Sequence, residues 1–191
     1  TRIHFGKNAI NKLANELKAY GENILLVYGK ASIKKIGLYD QVINILQAEG
    51  KKVVELAGIN ANPRYSQLLE GARLVREHQI DLILAVGGGS VIDCAKGIAC
   101  GAYAEGDVWQ RYYVNQERVN NPVVPVASIL TMAGTGSEMN GGSVITNEET
   151  KEKIGRVYPL EIASPKFSIL NPEYTYSVPT YQMIRDRKST R

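Results

Sequence analysis

"DLILAVGGGSVIDCAK", Asp81 to Lys96, decides the fold. Apolar residues run unbroken from Leu82 to Val86, three glycines and a serine follow, and a helical pattern begins at Val91. An apolar run of this length, bounded by glycine, reads as a strand buried on both faces. Glycine carries no Cβ, so backbone can approach a ligand closely, and the start of the next helix offers free amide N–H groups. An anion such as phosphate is the natural guest. The residues leave a second reading open. Ser90 with Asp93 three residues on is an S-x-x-D capping arrangement, in which the glycine turn is only structural.

The alternation extends in both directions. Asn8 to Tyr20 carries a helical stripe of Ile10, Leu13, Ala14 and Leu17, stopped by Gly21, and Asn23 to Tyr28 reads as a buried strand. Asp40 to Glu49 is predicted as a helix with Gly50 at its end, and Lys52 to Ala57 as the second strand. Asn62 as cap and Pro63 as first residue open a helix running to His78. Asp81 to Val86 is then the third strand, Val91 to Cys100 a helix, and Val123 to Ala127 the fourth strand. Helices alternating with strands that are apolar throughout predict a doubly wound α/β domain with a mainly parallel sheet. Ligands of such sheets sit beyond the carboxyl ends of the strands. "LTMAGTGSEMN", Leu130 to Asn140, follows the fourth strand as the glycine run follows the third, so both loops should face one crevice.

At 191 residues and 44% hydrophobic content the chain suits one well-buried domain. The net charge of +4 is concentrated in residues 185–191, which hold four cations and one anion. The body shows no basic face interleaved with aromatics, so no nucleic-acid partner is expected. Cys94 and Cys100 are six apart, on different helix faces and off any CxxC spacing, which predicts reduced thiols in a cytoplasmic protein. No run of about 18 apolar residues and no charged-then-apolar leader is present, so neither a membrane span nor a signal peptide is read.

"GGGSVIDCAK" and "AGTGSEMN", joined to "PKFSILNPEYTYSVPTYQM" at 165–183, resemble the iron-containing (group III) alcohol dehydrogenase family, and within it the butanol dehydrogenase and broad aldehyde reductase branch. The resemblance runs to about Ile184. It implies that residues 1–184 are the Rossmann-like, nucleotide-binding half of an NAD(P)-dependent enzyme that interconverts alcohols and aldehydes by hydride transfer. It also places Gly87, Gly88, Gly89 and Ser90 at the cofactor pyrophosphate and Asp93 near the nicotinamide ribose. Thr131 and Thr135 would meet the cofactor from the second loop, Lys153 would reach a ribose, and Leu170 would form an apolar wall. Read without the family, Lys153 is a solvated hairpin cation.

Cofactor choice is read from "VYGKASIKK", where no carboxylate follows Tyr28 to grip a ribose 2′-hydroxyl. Gly29, Ser32 and the cations Lys30, Lys34 and Lys35 suit a phosphate instead, so NADP(H) is favoured over NAD(H). Lys30 and Ala31 stand where the branch usually has a further glycine pair. The resemblance implies iron or zinc held by an aspartate and three histidines from a following helical domain. This chain has only His4, near the N-terminal strand, and His78, and Asp186 is followed four residues on by Thr190, so the ligand set is not in the sequence. Residues 185–191 are read as a non-family basic tail after a truncation. A small alcohol or aldehyde as substrate and a homodimer are further implications of the resemblance. Two other readings are a glycerol dehydrogenase or dehydroquinate synthase type of enzyme, against which "TGSEMN" argues, and a nucleotide-binding module without catalysis.

Overall fold

The computed structural model describes residues 1–176. Six strands form one all-parallel sheet: β1 (Arg2–Phe5), β2 (Asn23–Tyr28), β3 (Lys52–Leu56), β4 (Leu82–Gly88), β5 (Val126–Met132) and β8 (Phe167–Leu170). Their spatial order is β1-β8-β5-β4-β2-β3, with β4 and its glycines near the middle. The fold is the expected α/β, Rossmann-like arrangement. An antiparallel hairpin, β6 (Gly142–Asn147) and β7 (Glu152–Val157), stands apart as a second sheet.

Successive side chains of a strand point to opposite faces, and so the apolar runs build two cores at once. Ile24, Leu26 and Tyr28 of β2 join one core with Leu13 and Leu17 of α1 (Leu13–Leu17) and Val42 and Leu46 of α3 (Leu38–Ala48). Leu25 and Val27 join the other, under α4 (Tyr65–Glu77) and α5 (Gly89–Gly101). A four-residue helix, α2 (Ser32–Lys35), follows β2, and another, α6 (Leu160–Ala163), precedes β8. A π-helical turn, Trp109–Val114, covers the second core with the stacked rings of Trp109 and Tyr113, 5.2 Å apart.

Several boundaries differ from the sequence expectation, each for a local reason. The stripe from Asn8 divides into a 3₁₀ turn, Ala9–Lys12, and the short α1. Helix α4 starts at Tyr65 and Asn62 does not cap it. Pro63 and Arg64 are extended instead, with Arg64 bridged to Thr146 of β6 and the Pro63 carbonyl accepting the Thr146 N–H at 2.8 Å. The fourth strand is Val126–Met132, later than Val123–Ala127. Its polar Ser128 and Thr131 hide the strand in sequence, whereas in the fold Ser128 Oγ bonds Ser168 Oγ of β8 at 2.6 Å. The third strand keeps its ladder through Gly87 and Gly88, and α5 begins at once with Gly89, so no turn separates them. The segment 178–184 and the tail 185–191 lie outside the described residues.

Candidate functional site

All six strands point the same way, so every loop at their carboxyl ends opens on one edge of the sheet, and most of the candidate residues collect there. Gly29 and Ser32 follow β2, Gly87 to Ser90 close β4 and open α5, Thr131 and Thr135 end and follow β5, and Leu170 ends β8. These strands are consecutive neighbours. Leu130 pairs with Gly87 and Met132 with Gly88, which leaves Thr131 as the extra residue of a bulge. Bulges of this kind re-aim side chains beside functional sites.

Two of the three glycines are required by contacts within the protein, and none of the three has a positive φ. A Cβ at Gly87 would lie 2.6 Å from Val91 Cγ2, so this glycine lets the helix fold tightly onto its own strand. A Cβ at Gly89 would lie 2.5 Å from Thr135 Oγ1, so this one lets the second loop approach α5. At Gly88 the nearest atom is Met132 Cβ at 3.3 Å, which makes it the glycine with the least protein around it.

The capping alternative is not what the fold adopts. Gly88 is the N-cap of α5 and no side chain caps the helix. Ser90 lies in the first turn, with its hydroxyl donating to the Ala61 carbonyl. Asp93 Oδ1 accepts from Ser137 Oγ at 2.5 Å and Oδ2 accepts the Val144 N–H at 3.1 Å. The first amides of α5 therefore keep their donors free beside the positive end of the helix dipole. Burial raises the Asp93 carboxyl against the pull of Ser137 and of Lys96.

Lys153 is carried in by the hairpin, where its Nζ donates to Asn62 Oδ1 at 2.7 Å across the mouth of a cleft. That cleft has a volume of about 700 Å³ and is lined by Lys30, Asn60, Asn62, Arg64, Thr146, Glu148 and Lys151 among others. Thr146 Oγ1 is buried there without a hydrogen-bond partner. Lys34 points elsewhere, its Nζ lying 4.5 Å and 5.5 Å from the ring centres of Tyr39 and Tyr28. The two tyrosine hydroxyls occupy both oxygens of Glu55, at 2.5 Å and 2.8 Å. An uncapped helix start with a bare glycine beside it, and a cleft that carries Lys30, Arg64 and Lys151, fit a phosphorylated nucleotide.

The same test fails for a metal. Among the described residues no group of three or more His, Cys, Asp or Glu side chains is placed to hold one. His4 is held by Glu16, Nε2 to Oε1 at 2.7 Å, and His78 ends α4. The described residues do not fit iron. No helix among them is long and apolar enough to cross a membrane.

Sequence reading passed over Lys96, which donates to Ser137, Asn140 and Gly142. A single cation inside the apolar helix "VIDCAKGIAC" was the available signal.

A family model described as iron-containing alcohol dehydrogenase matches residues 1–172. The chain belongs to the iron-containing alcohol dehydrogenase family. It is 52% identical over 179 residues to the probable NADH-dependent butanol dehydrogenase 1 of Bacillus subtilis (strain 168), covering 94% of this chain and 45% of that protein. It is 39% identical over 185 residues to the NADPH-dependent aldehyde reductase YqhD of Escherichia coli (strain K12), covering 96% of this chain and 46% of that one. The crystal structure of NADH-dependent butanol dehydrogenase A from Thermotoga maritima superposes with a TM-score of 0.90 at 39% identity, over 96% of this chain and 46% of that chain. The chain thus spans about half the length of the iron-containing alcohol dehydrogenase relatives it matches.

Proposed function

We propose that residues 1–184 form the cofactor-binding half of an NAD(P)-dependent oxidoreductase that interconverts small alcohols and aldehydes, with 185–191 a basic tail outside that domain. One observation carries the reading: candidate residues occupy the ends of four neighbouring strands, β2, β4, β5 and β8. At the usual strand spacing that row is about 14 Å long, which suits an extended ligand lying across the sheet. Within it the pyrophosphate belongs over Gly88 at the free amides of α5, with Gly87, Gly89 and Ser90 shaping the approach. Asp93 and Lys153 are assigned to ribose hydroxyls, Thr131 and Thr135 to the face beside β5, and Leu170 to an apolar wall. When bound, the nicotinamide supplies the hydride chemistry; the residues of this chain bind it, orient it and exclude water from one side.

The finer choice is NADP(H) over NAD(H). No carboxylate lies in sequence between Tyr28 and Asp40, Glu55 is occupied by tyrosines, and around the cleft Lys30, Arg64 and Lys151 outnumber Glu148. Gly29 and Ser32 flank Lys30 in this arrangement. The relatives divide, the Bacillus protein being named NADH-dependent and the Escherichia protein NADPH-dependent. Iron, with zinc as the alternative, belongs to the same proposal, with its ligands beyond the described residues. So do a homodimer and a cytoplasmic location, which the free, buried Cys94 and Cys100 suit.

Calorimetric titration with NADPH and NADH tests both levels. The wild-type protein should bind both, NADPH more tightly. Gly88→Ala, whose Cβ would meet only the Met132 side chain, at 3.3 Å, and needs a shift of a few tenths of an ångström there, should weaken both on the order of tenfold by displacing the pyrophosphate. A folded Gly88→Ala protein with unchanged affinity sinks the site, and tighter NADH binding by the wild type reverses the cofactor choice alone.

A further inference from the structure

Asp93 and the loop after β5 are tied together by a side chain that the cofactor reading leaves unused. Lys96 lies one turn beyond Asp93 on α5 and is 0% exposed. Its ammonium group donates to Ser137 Oγ at 2.9 Å, the Gly142 carbonyl at 3.0 Å and Asn140 Oδ1 at 3.1 Å, which uses all three hydrogens. A buried ammonium is costly even when fully bonded, and an apolar side chain of similar length would serve a purely structural core better.

Two arms run outward from this point, and each ends at a residue of the candidate site. Through the first, Ser137 accepts from Lys96 and passes its own hydrogen to Asp93 Oδ1 at 2.5 Å. The direction is forced, because an ammonium group has no acceptor and the hydroxyl has only one hydrogen to give. Asp93 must therefore receive, as an ionised carboxylate does, and its second oxygen receives the Val144 N–H at 3.1 Å. Through the second arm, Asn140 takes the Lys96 hydrogen on Oδ1 and with Nδ2 donates to the Thr135 carbonyl at 3.2 Å. Lys96 and Ser137 are buried, while Asp93 and Asn140 are partly exposed and Thr135 exposed, so the network is anchored in the core and opens to the surface at its arms.

We propose that Lys96 is the positioning residue of the cofactor site: through Ser137 it holds Asp93 as an ionised acceptor, and through Asn140 it sets the loop that carries Thr135. The proposal rests on the cofactor reading above. It also makes the site sensitive to alkaline pH. Burial pulls Lys96 down to about 8, against the opposing pull of Asp93 and, more weakly, of Glu138 in the loop and Cys100 further along α5. Cys100 is itself a neutral thiol, pushed up to about 12 by burial. Once Lys96 is neutral its nitrogen becomes an acceptor, and the Ser137 hydrogen is no longer committed to Asp93.

The test is fluorescence titration of the intact protein with NADPH, from about pH 6.5 to 9.5, which brackets the lowered value of Lys96 and stays below the ordinary lysine range. Wild-type affinity should fall on the order of tenfold as pH rises past about 8, the loss expected for one hydrogen bond to a charged group. Lys96→Met should be weaker by the same order at neutral pH and flat across the range, while holding its unfolding midpoint. Should that variant fail to fold, Ser137→Ala leaves the ammonium group bonded to Asn140 and Gly142 and cuts only the arm to Asp93. It should weaken binding and move the inflection to lower pH. A wild-type profile without an inflection, or a variant that keeps both wild-type affinity and inflection, overturns the positioning role alone. A wild-type protein that binds neither NADPH nor NADH overturns the cofactor reading together with it.

Discussion

Cys94 and Cys100 are both fully buried on α5, and the loss of solvent pushes each thiol up to about 12. A thiolate is the reactive form, so at pH 8 neither should react with a disulfide reagent while the protein is folded. Counting thiols released in native buffer and again in denaturant checks this, with none expected in the first and both in the second. The sequence was legible here, since two cysteines off any paired spacing read as reduced thiols, and both are free in the fold. It was not legible for Lys96, whose partner Ser137 lies 41 residues away and is in turn 44 residues from Asp93. Nothing local marks such a network, because its members are adjacent only after β5 has paired with β4. Gly87, Gly88 and Gly89 fall between these cases. Their number pointed to a close approach, but only the fold shows that Val91 and Thr135 claim two of the three.

Helices α4 and α5 pack closely because each presents glycine to the other. A Cβ at Gly71 would lie 2.3 Å from Ile98 Cδ1, and one at Gly97 would lie 2.6 Å from Leu68 Cδ1. Replacing Gly71 by alanine should gain roughly 1 kcal/mol of helix propensity. Overpacking at a contact of this kind costs about 1–3 kcal/mol, so Gly71→Ala should lower stability, read as a reduced urea midpoint. At this scale legibility followed burial. β2 and β4 are buried on both faces, carry unbroken apolar runs, and were placed within two residues. β1 is an edge strand with Ile3 and Phe5 exposed, and β7, Glu-Lys-Ile-Gly-Arg-Val, is half charged and mostly exposed, so neither carries the pattern that marks a buried strand. The π-helical turn at Trp109 had no sequence signature at all.

For the whole molecule, the proposed nucleotide site and the metal of the parent family are separable by experiment. No described residue group can bind a metal ion, and the chain holds only two histidines. A polypeptide of residues 1–191 is therefore expected to bind nucleotide yet reduce no butyraldehyde, whichever of iron or zinc is added, because no group among the described residues holds a metal that could polarise the carbonyl oxygen. Loss of reduced-nicotinamide absorbance above the metal-free control would contradict this. The strand order has a consequence in time as well as in space. Arg2 pairs with Phe167, so the first of the described strands is completed by the last of them. At ordinary rates of synthesis the β1 segment waits on the order of ten to thirty seconds for β8 to leave the ribosome. Once β5 has been made, it exposes the edge that β8 will cover until β8 follows, and before then the nascent chain must depend on its early β2, β3 and β4 for whatever order it has.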